Sequence, residues 1–219
     1  MKVALVSDVH ANVVALEAVL EDCPPVDAIV CAGDVVGYNP WPAECVDRLR
    51  ERDAITIVGN HDRALLDGTT FPYNEMANAG IAIARKTLDD DQRAWLASLP
   101  DERRCFDRRI RVVHGHPEDR DRYTYPEEFS PRLLDDEDVL VVGHTHVQHV
   151  ERFADGFVVN PGSVGQPRDG DPRAAYAVAD LSALTVDTHR VEYDVERVQE
   201  AIRKAGLPDQ TGARLADGR

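Results

Sequence analysis

The sequence predicts a layered α/β fold with two sheets between outer helices, on the strength of three features. Short apolar runs alternate with helical periodicities through the first half, the second half is mostly strands, and five polar motifs each follow an apolar run. Residues 2–7 (KVALVS) read as a buried strand that delivers Asp8 at its end. Val13, Leu16 and Leu20 then recur at helical spacing, with Asn12 as the N-cap and Pro24-Pro25 as the stop.

The same alternation continues with a strand at 28–32, a helix at 42–52 and a strand at 54–58. Residues 74–87 form a helix with Met76, Ala79, Gly80 and Ile83 on one face, and Asp89 with Gln92 makes a capping box for the next. From residue 102 strands follow at 110–113, 139–142, 147–153, 157–159, 174–179 and 184–193. Asp155-Gly156 is the hairpin signal between two of them. With 219 residues and 43% hydrophobic content the chain suits a single domain over 1–205. Residues 206–219 carry little apolar periodicity and read as a frayed tail.

Composition narrows the partners. No apolar run approaches the roughly 20 residues that span a bilayer, and the first residues meet a charge too early for a secretory signal, so the expectation is a cytoplasmic protein without a membrane partner. Cys23, Cys31, Cys45 and Cys105 form no CxxC pair and read as reduced thiols, mostly in the core. Forty acidic against 25 basic residues give a net charge of −15, which opposes binding of a nucleic-acid duplex. Oligomeric state is not encoded in any feature of the sequence.

The motifs are Asp8-Val9-His10, Gly33-Asp34-Val35-Val36-Gly37, Gly59-Asn60-His61-Asp62, His114-Gly115-His116 and Gly143-His144-Thr145-His146. In α/β sheets the carboxyl ends of strands open onto one crevice, where residues distant in sequence converge. Two Asp, an Asn and several His make a mixed N/O donor set suited to Mn, Fe, Co, Ni or Zn rather than to Ca or Mg alone. Residues i and i+2 past a strand end can share an open space, which makes Asp8 with His10 and His144 with His146 natural chelating pairs. A carboxylate such as Asp34 can bridge two cations about 3.5–4 Å apart.

These five blocks, in this order, resemble the calcineurin-like metallophosphoesterase superfamily, over residues 2 to about 180. The segment 160–178 (NPGSVGQPRDGDPRAAYAV) resembles its small bacterial and archaeal phosphodiesterase branch. The resemblance implies a four-layer α/β/β/α sandwich, two mixed sheets flanked by helices. It also implies two divalent metal ions, with Mn²⁺ the first choice and Ni²⁺, Fe²⁺, Co²⁺ or Zn²⁺ as alternatives. Asp8, His10 and His146 would hold one ion, Asn60, His114 and His144 the other, and Asp34 would bridge them. Water activated between the metals would attack phosphorus, with His61 as general acid to the leaving oxygen and Asp62 orienting its imidazole.

Tyr38, Arg63 and Arg168 lie near these motifs and are candidates for the ester group or phosphate, as is Asn60; surface placement is the plainer reading. His116 either lines the pocket or lies at the surface, and Asn160-Pro161-Gly162-Ser163 reads as a structural turn. The implied activity is hydrolysis of a small phosphorylated substrate. A phosphoprotein phosphatase and a non-catalytic interaction scaffold, like the retromer subunit that resembles these enzymes, are the alternatives; retention of His61 weighs against the scaffold.

Only Lys2, Lys86 and Lys204 are lysines, and an acidic, lysine-poor surface suits high salt, where self-repulsion is screened; an ordinary acidic surface is the bland alternative. Adaptation to salt predicts a melting temperature that rises from low to molar KCl, and a flat series removes the idea.

Overall fold

The computed structural model describes residues 1–219. Ten strands and seven helices follow one another along the chain. The first half carries β1 (Lys2–Val6), α1 (Val13–Asp22), β2 (Ala28–Cys31), α2 (Pro42–Glu51), β3 (Ile55–Thr56), α3 (Asn60–Asp67), α4 (Glu75–Thr87) and α5 (Asp90–Ser98). The second half carries β4 (Glu102–Cys105), β5 (Ile110–Val113), β6 (Val139–Val141), β7 (His149–Arg152), β8 (Phe157–Asn160), β9 (Ala174–Asp180), β10 (Thr185–Val191), α6 (Val195–Lys204) and α7 (Asp209–Asp217).

The strands build two five-stranded mixed sheets, ordered β10-β9-β1-β2-β3 and β4-β5-β6-β8-β7. In the first, β1, β2 and β3 are parallel, β9 runs antiparallel beside β1, and the edge strand β10 is antiparallel to β9. In the second, β5, β6 and β8 are parallel and β4 and β7 run antiparallel at the edges. The alternation of side chains along a strand explains how the sheets stack. Val3 and Leu5 of β1 face the second sheet, packing with Ile110, Val112, Val139 and Val159. Ala4 and Val6, on the other face, pack under the helices with Leu16, Leu49 and Ile81. Because both faces are buried, β1 reads as a continuous apolar run instead of an alternating one. The outer face of the second sheet is covered by residues 126–134, two short 3-10 turns that set Phe129, Leu133 and Leu134 against Leu140 and Val158.

Several local expectations hold. Asn12 caps α1, its side chain accepting from Ala15 N at 3.2 Å, and Asp89 and Gln92 cap α5 reciprocally at 2.8 and 3.2 Å. All four cysteines are free thiols, Cys31 and Cys45 being buried. No helix is long and apolar enough to cross a membrane.

Others are corrected. The buried face of α4 is Ala77, Gly80, Ile81 and Ala84, about one residue away from the predicted stripe. Its small residues let the helix press onto the loop after β2, where a Cβ at Gly80 would stand 2.0 Å from Tyr38 N. Residues 206–219 are not frayed but contain α7, which pairs with α6. Asp194 caps α6, accepting from Arg197 N at 2.9 Å, and Leu215 is fully buried with Val198, Ile202 and Leu207. Few apolar residues suffice here because Gly212 brings the two helices close, and Gly170 N donates to Gly218 O at 2.9 Å to tie down the end.

Leu215→Ala should therefore lower unfolding stability by about 2–4 kcal/mol. Urea denaturation reads this directly, and an unchanged midpoint would mean that the tail is loose.

Candidate metal centre

The parallel strands of both sheets end on one side of the molecule, and their loops carry the five motifs. Asp8 and His10 follow β1, Asp34 follows β2, and Asn60 opens α3 just after β3. His114 follows β5, and His144 and His146 follow β6. Two bonds fasten the sheets to each other there: His114 Nδ1 donates to Ala32 O at 2.7 Å, and His144 N donates to Asp8 Oδ2 at 3.1 Å.

Three imidazoles are oriented by the same device. His10 Nδ1 meets Val36 O at 3.1 Å, His146 Nδ1 meets Gln166 O at 2.6 Å, and His114 Nδ1 meets Ala32 O. A backbone carbonyl accepts only a proton, so each Nδ1 carries the hydrogen and each Nε2 turns a lone pair inward. His10 Nε2 and His146 Nε2 stand 3.1 Å apart, with Asp8 Oδ1 3.2 Å from the latter. Two lone pairs and an anionic oxygen at such distances repel unless a cation lies among them. Asp8 Oδ1 is moreover buried with no hydrogen-bond partner, while Oδ2 is satisfied by Ser7 Oγ and His144 N. The donor set fits a divalent metal ion.

Asp34 connects this group to a second one. Its Oδ1 accepts from His61 N at 2.8 Å, and its Oδ2 lies 3.7 Å from His10 Nε2 and 3.4 Å from His114 Nε2. Asn60 Oδ1 is 3.0 Å from His114 Nε2. The ligand atoms of Asp8, His10 and His146 lie within 4.8 Å of one another, and so do those of Asp34, His114 and His144. His146 thus falls with the first group and His144 with the second, the division the resemblance implies rather than a shared chelating pair; both residues are left-handed, with φ 67° and 61°. Asp8, His10 and Asp34 share that backbone region, at φ 52°, 46° and 53°. Such non-glycine conformations cost on the order of 1–3 kcal/mol each and persist where the surroundings enforce them.

Electrostatics favours the neutral, ligating form of His10, His144 and His146, with His114 the exception. Burial and the neighbouring His61 push His10 well below the usual imidazole range. Burial and His114 push His144 to about 4, and burial with Arg168 lowers His146. Burial alone would lower His114 too, but the Asp34 carboxylate outweighs it and raises that imidazole to about 9. Burial opposes ionisation of Asp34, yet His114, His61 and His10 hold it well below the usual carboxylate range; His146 does the same for Asp8.

Above the ligands is a cavity of about 50 Å³ bordered by His61, Tyr38, Phe71, Tyr123 and Arg168. Burial, opposed by Asp34 and reinforced by Arg168, lowers the His61 imidazole to about 4. Its ring packs on Phe71 at 4.5 Å and on Tyr38 at 4.8 Å, and its Nδ1 is buried without a partner. Arg168 donates to Gln166 Oε1 at 2.7 Å and to Tyr38 OH at 3.2 Å.

The geometry places three of the candidates elsewhere. Asp62 does not orient His61: its carboxylate accepts from Val35 N, Val36 N and Gly59 N at 3.3, 3.0 and 3.0 Å, stapling the β2 and β3 loops together. Burial and Asp34 raise this carboxyl to about 6 against those bonds. Arg63 is turned away, paired with Asp121 and, at 3.6 Å, with Asp101. His116 borders a separate groove with Asp101 and Arg120, because reciprocal 3.1 Å backbone bonds with Asp119 turn the chain after Gly115. Tyr38, Asn60 and Arg168 do border the cavity. Phe71, Asn74 and Tyr123 border it unforeseen, since they come from loops whose sequence carries no periodic or motif signal.

Residues 1–184 match the calcineurin-like phosphoesterase superfamily domain. The chain belongs to that superfamily and is a metal-dependent phosphoesterase, a hydrolase. It is 30% identical to phosphodiesterase YfcE of Escherichia coli over 198 residues, covering 85% of this chain and 91% of that one. It is 33% identical to an uncharacterized protein of Methanocaldococcus jannaschii, covering 99% and 98% of the two chains. The crystal structure of a metallophosphoesterase from Sphaerobacter thermophilus superposes with a TM-score of 0.87 at 36% identity, over 100% and 99% of the chains.

Gly37 gives the arrangement a test. Its φ is +100°, and an added Cβ would stand 2.4 Å from His61 Nδ1. Gly37→Ala should displace His61 and reduce turnover roughly 100-fold while metal content, read by mass spectrometry, is retained.

Proposed function

We propose that this chain hydrolyses phosphate esters of small molecules through a two-metal centre, with phosphodiesters as the first substrates to try and Mn²⁺ as the first metal. The position of Asp34 Oδ2, within 3.7 Å of an imidazole from each ligand group, carries this reading. Asp8, His10 and His146 form the cradle for one ion, and Asn60, His114 and His144 the cradle for the other, with Asp34 common to both. A bound metal pair supplies Lewis acidity and lowers the pKa of coordinated water.

The protein's own groups do the rest. Arg168 has its charge balanced by no carboxylate and bonds only neutral oxygens, so an incoming phosphate is its natural counter-ion. His61 is neutral before substrate arrives and offers a ring N–H to a phosphate oxygen. The anion's charge then draws its pKa upward, which a general acid to the leaving oxygen requires. Phe71 and Tyr38 pack against the imidazole and limit both its rotation and its access to water. Cytoplasmic placement accords with the composition, and high salt as the working medium is the companion proposal.

Chelator-treated protein should be inert toward bis(p-nitrophenyl) phosphate, and Mn²⁺ or Ni²⁺ should restore turnover with two ions per chain. His61→Ala should lose on the order of 100-fold or more in kcat with both ions retained, a result that also exposes any contaminating hydrolase. Fully metallated protein that cleaves neither mono- nor diesters refutes the proposal.

A further inference from the structure

The cavity over the ligands holds about 50 Å³. Since one water needs roughly 10–15 Å³ of such space, it admits a phosphate group and little more. The rest of any ester must lie outside, across the rim.

That rim is aromatic on the His144 side. The ring of Tyr123 stacks on His144 with centroids 3.9 Å apart and planes 13° apart. Tyr125 continues the stack, 5.8 Å from Tyr123 and tilted by 19°, an offset pair. Both rings stay exposed, at 44% and 41%, beside residues that border the cavity. Apart from Tyr38 and Phe71 inside, aromatic residues are scarce, 6% of the chain, so two exposed parallel rings at the mouth are no product of composition. Packing does not explain them either, because neither joins a hydrophobic cluster. The segment carrying them is fixed by Thr124, buried, whose Oγ1 donates to Gly115 O at 3.2 Å, and by Tyr125 N donating to Glu128 Oε2 at 3.0 Å.

Building on the proposed esterase reading, we infer that Tyr123 and Tyr125 form a stacking shelf for a flat ring carried by the substrate, so that the preferred ester is a phosphodiester bearing a nucleobase or an aryl group. The shelf selects by surface contact, which every π-face offers, and Arg168 across the cavity holds the phosphate in register. Tyr123 is a specificity-determining residue with a second contact, on a candidate ligand. Tyr125 touches no candidate ligand in the stack, which separates ring binding from metal binding.

The test uses Mn²⁺-loaded full-length protein and three esters: the p-nitrophenyl ester of thymidine 5′-phosphate, bis(p-nitrophenyl) phosphate and glycerophosphoglycerol, which has neither a ring nor a cation to rest on one. Tyr125→Ala should raise KM about tenfold for ring-bearing esters and less than about twofold for glycerophosphoglycerol, with Tyr125→Phe restoring the wild-type value. A rise confined to the thymidine ester identifies a nucleobase as the ring; equal rises on both ring-bearing esters identify any flat ring. Equal losses on all three esters, or none on any, overturn the shelf. Calorimetry gives a readout free of turnover: Tyr125→Ala should weaken thymidine monophosphate about tenfold and leave inorganic phosphate as it was. If wild-type protein cleaves none of the esters, the esterase reading has failed, and calorimetry still decides the shelf: equal thymidine monophosphate affinity in both proteins overturns it.

Discussion

Asp34 Oδ2 has to stand within reach of imidazoles delivered by two different sheets, and this demand organises the molecule. His10 arrives from β1 and His114 from β5. Neither could be placed by its own sheet alone. The inter-sheet core of Val3, Leu5, Ile110, Val112 and Val139 sets the separation of the sheets, and the His114–Ala32 bond fixes their register at the strand ends. The apolar run of β1 therefore serves the chemistry as much as the stability, since a change in its packing moves the ligands that it carries.

The ligand set was legible in the sequence because ligation leaves a local mark. Each candidate sits just past an apolar run, beside glycine or within a two-residue spacing, and the fold brings Asp8, His10, Asp34, His114, His144 and His146 together at the strand ends, with Asn60 beside His114. The two-residue spacing alone grouped His144 with His146, and their separation came from the family resemblance, since spacing says nothing about which way each side chain turns. Asp62 misled for the same kind of reason. A carboxylate three positions into a helix serves equally as a backbone staple or as a partner for a histidine, and only the approach of the β2 loop decides. The α7 helix was hidden because its burial is shared with α6, and one buried leucine beside a glycine yields no periodicity.

Charge presents a conflict that the fold resolves locally. A chain with net charge −15 must admit an anion. Many of its arginines are tied to carboxylates, among them Arg63, Arg104, Arg111 and Arg190, so their fields cancel within a few ångströms. Arg168 is different, being balanced only by neutral oxygens beside the cavity. An uncompensated cation and a metal-binding cleft thus coincide on a chain that is acidic overall.

The division between strand ends and loops follows from the same geometry. Ligands at strand ends inherit the rigidity of two packed sheets, so their spacing admits little change. Phe71, Asn74 and Tyr123, which also border the cavity, come instead from segments at 68–74 and 116–128 that contain no strand or α-helix. Phe71 on one side and Tyr123 on the other reach inward to press on His61 and His144, so these segments shape the mouth and also brace two of the inner imidazoles. A ring seated at the mouth and the histidine behind it are then coupled through one shared contact. Through Tyr123 that contact would tie the ester group to the reacting phosphate, whereas Tyr125, next to Tyr123 and away from His144, would hold a ring without touching the ligands.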